Sequence, residues 1–267
     1  MDNLFDRDTA VTPLGAGVYE ASIGAAWQIV HGPNGGYLAA IILNAMTHEV
    51  ADPGRAIRSL TIHYLRVAPE GPVRIEVTKE RAGKSVASVS ARMFDGDRLL
   101  SIALGAFSYP FEGIDLDETR MPEVEPPHEI ENFQVEVFPR HAQNFVYKHA
   151  LGDMFFTGSD RAEIGVWLRL AEPRRLDPLL LTMLTDTVPP SPFPRLDGPN
   201  AAPTIDLTIH FRSPIPDDVT AEDFYLAVFR SKLSRDGFFE EDGEIYTESG
   251  LLLAQSRQLA LLLPPRT

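Results

Sequence analysis

Polar and apolar positions alternate most cleanly in Pro203-Thr-Ile-Asp-Leu-Thr-Ile-His-Phe211. Ile205, Leu207, Ile209 and Phe211 are apolar, and Thr204, Asp206, Thr208 and His210 are polar. Strict period-two alternation in a segment rich in β-branched side chains predicts a strand with one face on a core and one face free. The chain says nearly the same thing twice: Leu60-Thr-Ile-His-Tyr64 matches Leu207-Thr-Ile-His-Phe211 at an offset of 147 residues.

The flanks support a genuine repeat. Before the first copy come Trp27, the Asn34-Gly-Gly36 turn and a helix pattern over 37–50, with Asn34 as its predicted N-cap. Before the second come Trp167, Asp177-Pro178 and a shorter apolar helix pattern over 179–187. An acidic N-cap followed by proline is a strong helix start. The first helix is apolar almost all round, which predicts that other elements wrap it. Its two glycines permit close approach by a neighbouring strand or ligand.

Strand patterns over 17–23, 56–66, 71–81, 84–94 and 98–108 fill the first half. Patterns over 163–170, 224–232, 238–246 and 251–263 fill the second. In each half an apolar last strand follows a short polar turn, Asp95-Gly-Asp97 and Glu248-Ser-Gly250. Each half therefore reads as an α+β unit built around one helix. Between them the composition turns acidic and proline-rich. The predicted organisation is an N-terminal unit over 1–110, an acidic Pro-rich linker or surface cover over 111–145, and a C-terminal unit over 146–267. The stretch 141–160 is ambiguous in type, although its aromatic residues imply packing.

Composition narrows the function. Length 267 accommodates two domains, and 44% apolar with 23% charged residues is the make-up of a soluble globular chain. Cysteine is absent, which removes disulfides, thiolate metal sites and a Cys nucleophile and fits a reducing, cytoplasmic compartment. The acidic N-terminus lacks the features of a signal peptide, and no apolar run is long enough to span a bilayer. A net charge of −14 argues against nucleic acid or an anionic membrane as partner, while leaving room for a small anionic ligand held locally.

Three residues stand out as candidate chemistry. Asp186 falls about 20° from Leu179 on a helical wheel, at the edge of the second helix's apolar face, where partial desolvation raises a carboxyl pKa. Gln258 shares a strand face with Leu252, Ala254, Ser256, Ala260 and Leu262, so its amide must find partners. Thr204 opens the anchor strand. Each has an ordinary alternative role: a helix-end backbone bond for Asp186, a loop tie for Gln258, a strand-end β-former for Thr204.

Together Asp186, Thr204 in Thr204-Ile-Asp206 and Gln258 resemble the Asp, Thr and Gln of the acyl-CoA thioesterase II family. Asn34-Gly-Gly36, the Tyr64-Leu-Arg66 run followed by Pro69, and Gly83-Lys-Ser85 leading to Asp95-Gly96 resemble the family's first domain. The resemblance covers nearly the whole chain apart from the linker. It implies a double hotdog fold, two curved antiparallel sheets each wrapped round a central helix. It also implies acyl-CoA hydrolysis by direct water attack, no cofactor and a homo-oligomer such as a dimer. Asp186 would be the base, Thr204 and Gln258 would fix the water, and N–H groups near Gly35 and Gly36 would receive the oxyanion. Lys79, Arg81, Lys84, Arg230, Lys232 and Arg235 are candidates for CoA phosphates. The chain departs from the family in having Tyr37 where Gln often follows the glycine pair, and Leu207 where His often follows Thr-Ile-Asp.

Two rivals remain. His31 and Gly35 have the His-x-x-x-Gly spacing of hotdog dehydratases, but Ala40 stands where a proline is expected, and the second helix lacks an Asp with Gln or His at four-residue spacing. A non-catalytic acyl-CoA-binding module would keep the fold and leave Asp186 structural. No serine elbow, His-Glu-x-x-His or phosphate loop is present.

Overall fold

The computed structural model describes residues 3–133 and 139–263. A short helix α1 (Leu4–Asp8) leads into β1 (Thr12–Gly15), β2 (Val18–Ile23), the two-residue strands β3 (Gln28–Ile29) and β4 (Gly32–Pro33), and helix α2 (Gly35–Val50). Then come β5 (Ala56–Tyr64), β6 (Gly71–Ala82), β7 (Val86–Asp95) and β8 (Arg98–Ser108). The second half holds β9 (Phe145–Gly152), β10 (Glu163–Leu170), α3 (Pro178–Leu184), β11 (Thr204–Phe211), β12 (Tyr225–Arg230), the short β13 (Ser234–Arg235), β14 (Phe238–Thr247) and β15 (Leu252–Leu261).

Apart from β3 and β4, which pair only with each other, the strands form one continuous antiparallel sheet in the order β1-β2-β6-β7-β8-β5-β11-β15-β14-β12-β10-β9, with β13 attached to β14. That order is a palindrome. Read from either end, each strand of one half occupies the place of its counterpart in the other, and the two echoed strands β5 and β11 meet at the centre. Their register puts Thr61 opposite Thr208, and both strands carry an irregularity at the same place, between Ile57 and Ser59 and between Thr204 and Asp206. This is the pair of α+β units expected from the repeat, arranged as the double hotdog that the family resemblance implies.

Helix α2 is capped as its sequence requires, the Asn34 side chain accepting from the Tyr37 N–H, and its residues 36 to 43 are all buried. It packs against α3 and the sheet; Tyr37 stacks on Trp27 at 5.3 Å, and Leu207 is wholly buried beneath β11.

Two expectations need correction. The second helix ends at Leu184 instead of running on to 187, because the hydroxyls of Thr182, Thr185 and Thr187 bond back to backbone carbonyls and close the turn early. The two tryptophans are not counterparts. Trp27 belongs to the main core, whereas Trp167 lies on the opposite face of β10 in a separate cluster with Leu226, Val228, Tyr246 and Leu252. The ambiguous stretch supplies the edge strand β9.

The acidic segment after β8 covers that second cluster. Met121, Val124 and Ile130 pack on it, the Trp167 indole donates to the Glu125 carbonyl at 2.9 Å, and Lys148 Nζ donates to the carbonyls of Pro127 and Ile130. Residues 134–138 of the predicted linker lie outside the described residues. Among the described residues no helix is long and apolar enough to cross a membrane.

Candidate active site

The N-terminus of α2 and the turn after α3 face each other, and Asp186 is the contact. It sits two residues past α3, not on the helix edge expected from a longer helix, and its N–H bonds the Met183 carbonyl. Its Oδ2 accepts from the Gly36 N–H at 2.9 Å and from Asn34 Nδ2 at 3.3 Å; the same Nδ2 donates to the Asp186 backbone carbonyl at 2.6 Å. A helix N-terminus offers free N–H groups and a positive dipole end, so a carboxylate is at home there. Oδ1 makes no hydrogen bond to the described residues, and Asp186 keeps partial solvent access.

The glycine pair follows from this packing. A Cβ on Gly35 would stand 2.8 Å from Asp186 Oδ2 and 3.0 Å from the Tyr64 hydroxyl. One on Gly36 would stand 2.8 Å from the Met183 carbonyl oxygen. The Tyr64 hydroxyl in turn donates to the Gly35 carbonyl at 2.8 Å, tying the end of β5 to the start of α2. The arrangement also corrects the expected role of the N–H groups. Gly36 donates to the chain's own carboxylate, so its N–H is committed to Asp186 and not held open for an oxyanion.

Burial pushes the Asp186 carboxyl up to about 7; the nearby Glu241 carboxyl adds to the rise, and the Gly36 and Gly35 N–H groups pull against it. The Tyr64 phenol is pushed well up by burial and by Asp186.

Thr204 and Gln258 bond each other. The Thr204 hydroxyl donates to Gln258 Oε1 at 2.8 Å. Gln258 Nε2 donates to Glu241 Oε1 at 2.6 Å, and Glu241 Oε2 accepts from the Ser191 N–H at 2.5 Å. Neither Thr204 nor Gln258 bonds Asp186 directly. The pair lies at the same end of the sheet as Asp186, since Asp206, two residues along β11, faces His63, the neighbour of Tyr64. The nearness of Glu241 to the Asp186 charge says the same.

Glu241 was missed in the sequence because it stands in the run Glu240-Glu241-Asp242 and reads there as part of a solvated face. The signal that could have found it is period-two alternation along β14: Phe239, Glu241, Gly243 and Ile245 share one face and all four are buried.

The repeat shows which half carries this polar chain. The register of β11 and β15 matches that of β5 and β8, so Thr204 corresponds to Ile57 and Gln258 to Gly105. Gly105 faces Val89 as Gln258 faces Glu241. One half thus fills these positions with Ile, Gly and Val, and the other with Thr, Gln and Glu. The fold does not require the polar set.

The candidate CoA cations are dispersed. Arg230 is paired with Glu163 and Glu244, and Lys79 with Glu49. Arg81 and Lys84 line a surface cavity of about 430 Å³ at the β6–β7 turn. That turn is bonded by Arg55, just before β5, so it lies at the other end of this nine-residue strand from Tyr64.

Comparison with known proteins agrees with the fold. Residues 23–108 match the family model of the acyl-CoA thioesterase N-terminal domain, and residues 116–262 that of the acyl-CoA thioesterase C-terminal domain. The chain is similar over its full length, and over all of the other chain, to a hot dog fold protein of unknown function from Alicyclobacillus acidocaldarius, at 26% identity and a TM-score of 0.91. It is similar over 98% of both chains to acyl-CoA thioesterase II from Mycobacterium marinum, at 19% identity and a TM-score of 0.78. A dehydratase domain from Pseudomonas fluorescens is more distant, at 14% identity, 93% and 94% coverage and a TM-score of 0.57. No curated protein matches the chain in sequence.

Proposed function

We propose, from the premise that this chain belongs to the acyl-CoA thioesterase family, that it hydrolyses acyl-CoA to a free carboxylic acid and CoA by direct attack of water. The observation that carries the reading is the Asp186 carboxyl. One oxygen is fixed by the start of α2 and the other is left open. Its pKa is raised to about 7, which suits a general base at neutral pH.

In this reading a water hydrogen-bonded to Asp186 Oδ1 attacks the thioester carbon while Asp186 takes its proton. The carbon–sulfur bond then breaks, and the departing thiolate recovers that proton from Asp186. No covalent acyl-enzyme forms, in keeping with the absence of cysteine from the chain. Thr204 and Gln258 orient the water. The Thr204 hydrogen is spent on Gln258 Oε1, so its oxygen can accept from the water. One Gln258 amide hydrogen goes to Glu241, and the other remains for the water or the developing oxyanion.

The test is release of free CoA from acyl-CoAs of increasing chain length, by wild type and by Asp186→Asn. Release that falls at least 100-fold in a folded Asp186→Asn protein supports the reading; unchanged release overturns it. Intact-mass analysis during turnover should show no acylated chain.

A further inference from the structure

Glu241 is only 2% exposed, and among the described residues no cation pairs with it. Burial raises the Glu241 pKa, but both its oxygens accept N–H bonds, from Gln258 and Ser191, and these bonds favour the ionised form against that burial. A buried unpaired carboxyl is costly, and the matching position in the first half, Val89, shows that the fold is content with an apolar side chain there. Its presence there calls for a reason beyond packing.

The hydrogen bonds supply one. A carboxylate can only accept, so it forces the NH₂ end of the Gln258 amide toward β14 and the oxygen end toward Thr204. Gln258 Oε1 can only accept as well, so the Thr204 hydroxyl must donate to it. With the amide turned round, Thr204 would face an NH₂ group and would have to accept from it, and its hydrogen would point elsewhere. One acid thus sets the direction of every bond along Glu241–Gln258–Thr204. We infer that Glu241 is a positioning residue of the Asp186 site, fixing the orientation of the Gln258 amide and, through it, which way the Thr204 hydroxyl presents itself to the reacting water. This rests on the reading of Asp186 as the base.

Glu241 acts on Asp186 by a second route, because a like charge held nearby keeps the Asp186 carboxyl more basic. Among the described residues, Tyr64 from β5 faces Asp186, and Glu240 from β14 lies beside Glu241.

Glu241→Gln is the informative variant, since it keeps the shape and can still accept from the Ser191 N–H. Carboxyl-carbon NMR of Asp186 in wild type and in Glu241→Gln reads the electrostatic link without any turnover. The Asp186 titration should move to lower pH by at least half a unit, and an unmoved titration overturns that link. Kinetics read the orientation. Glu241→Gln should lower kcat about 10-fold or more with KM within about 2-fold, and should lower it little further when Gln258 is already Ala. A full additional loss in the Gln258→Ala background would mean that Glu241 does not act through Gln258, and wild-type kcat in the single variant would mean that it does not act at all. Failure of the hydrolase reading looks different: Asp186→Asn would release CoA like wild type, while the NMR titration would still report on Glu241.

Discussion

Thr61 and Thr208 stand 147 residues apart in the chain, occupy the same place in its two copies of the Leu-Thr-Ile-His strand, and bond each other through their hydroxyls at 3.0 Å. Each residue of this pair touches its own counterpart. That can happen only on the axis relating the two halves, so the pair marks the pseudo-twofold of the sheet, and everything else is arranged outward from it.

Because the two threonines are counterparts in matching surroundings, Thr61→Val and Thr208→Val should cost similar amounts, about 0.5–1.5 kcal/mol each. The double variant should cost less than the sum, since the first change already removes the shared bond. Urea denaturation with an unchanged m-value checks this. Strictly additive costs would mean that the hydroxyls do not act on each other.

Gly35→Ala should damage the site more than the fold around it. Its Cβ would fall against Asp186 Oδ2 and the Tyr64 hydroxyl, two atoms whose positions define the base. CoA release should fall 10-fold or more. Gly36→Ala presses on the Met183 carbonyl oxygen, a backbone atom of α3, as well as on Asp186 Cβ at 3.0 Å, so it should lower the melting temperature together with turnover. A Gly35→Ala protein with wild-type turnover would show that Asp186 can move without consequence.

The fold was largely legible, the site only in part. The echo of Leu60–Tyr64 in Leu207–Phe211 revealed two units because alternation is written directly in side-chain type. Alternation says nothing about which strand lies beside which, so the direct pairing of β5 with β11 and the palindromic order had to come from the structure. Asn34 and Asp177 marked their helix starts correctly, because capping is local chemistry. The end of α3 was overrun, because threonine hydroxyls compete with the backbone in a way that apolar spacing does not register. Thr204 was visible as the opening residue of the anchor strand, and Gln258 as a polar residue on an inward face. Glu241 met the same criterion and was hidden by its acidic neighbours. That Asp186 would occupy the N-terminus of the other half's helix was not legible, since the contact spans 150 residues of sequence.

The strap over the second half should matter for stability. Trp167→Phe keeps most of the apolar contact with Met121, Val124 and Ile130 but removes the donor to the Glu125 carbonyl. A loss of about 1 kcal/mol is expected, with CoA release unchanged, since none of these side chains approaches Asp186. Proteolysis between residues 111 and 133 should accelerate in that variant. Protection equal to wild type would mean that the indole bond does not hold the strap.

The pH dependence of Asp186 gives opposite signs for activity and stability. The base must be ionised, so kcat/KM should rise with pH through about 7, with an acid limb that Asp186→Asn abolishes along with turnover. For stability, the folded-state pKa is raised above the ordinary carboxyl value near 4, so the folded chain holds this proton more tightly than the unfolded one. The proton's contribution is fully present below about pH 4 and is lost as pH rises through about 7. Above that, the folded protein carries a charge it would be more stable without, at a cost on the order of 2–4 kcal/mol from a pKa raised by about three. Asparagine fits the same space, can accept from the Gly36 N–H and carries no charge. Asp186→Asn should therefore match wild type in melting temperature near pH 4.5 and exceed it by several degrees at pH 8. A variant no more stable than wild type at pH 8 would mean that the carboxylate is fully compensated at the start of α2, and with it the argument for a base poised near neutrality would fall.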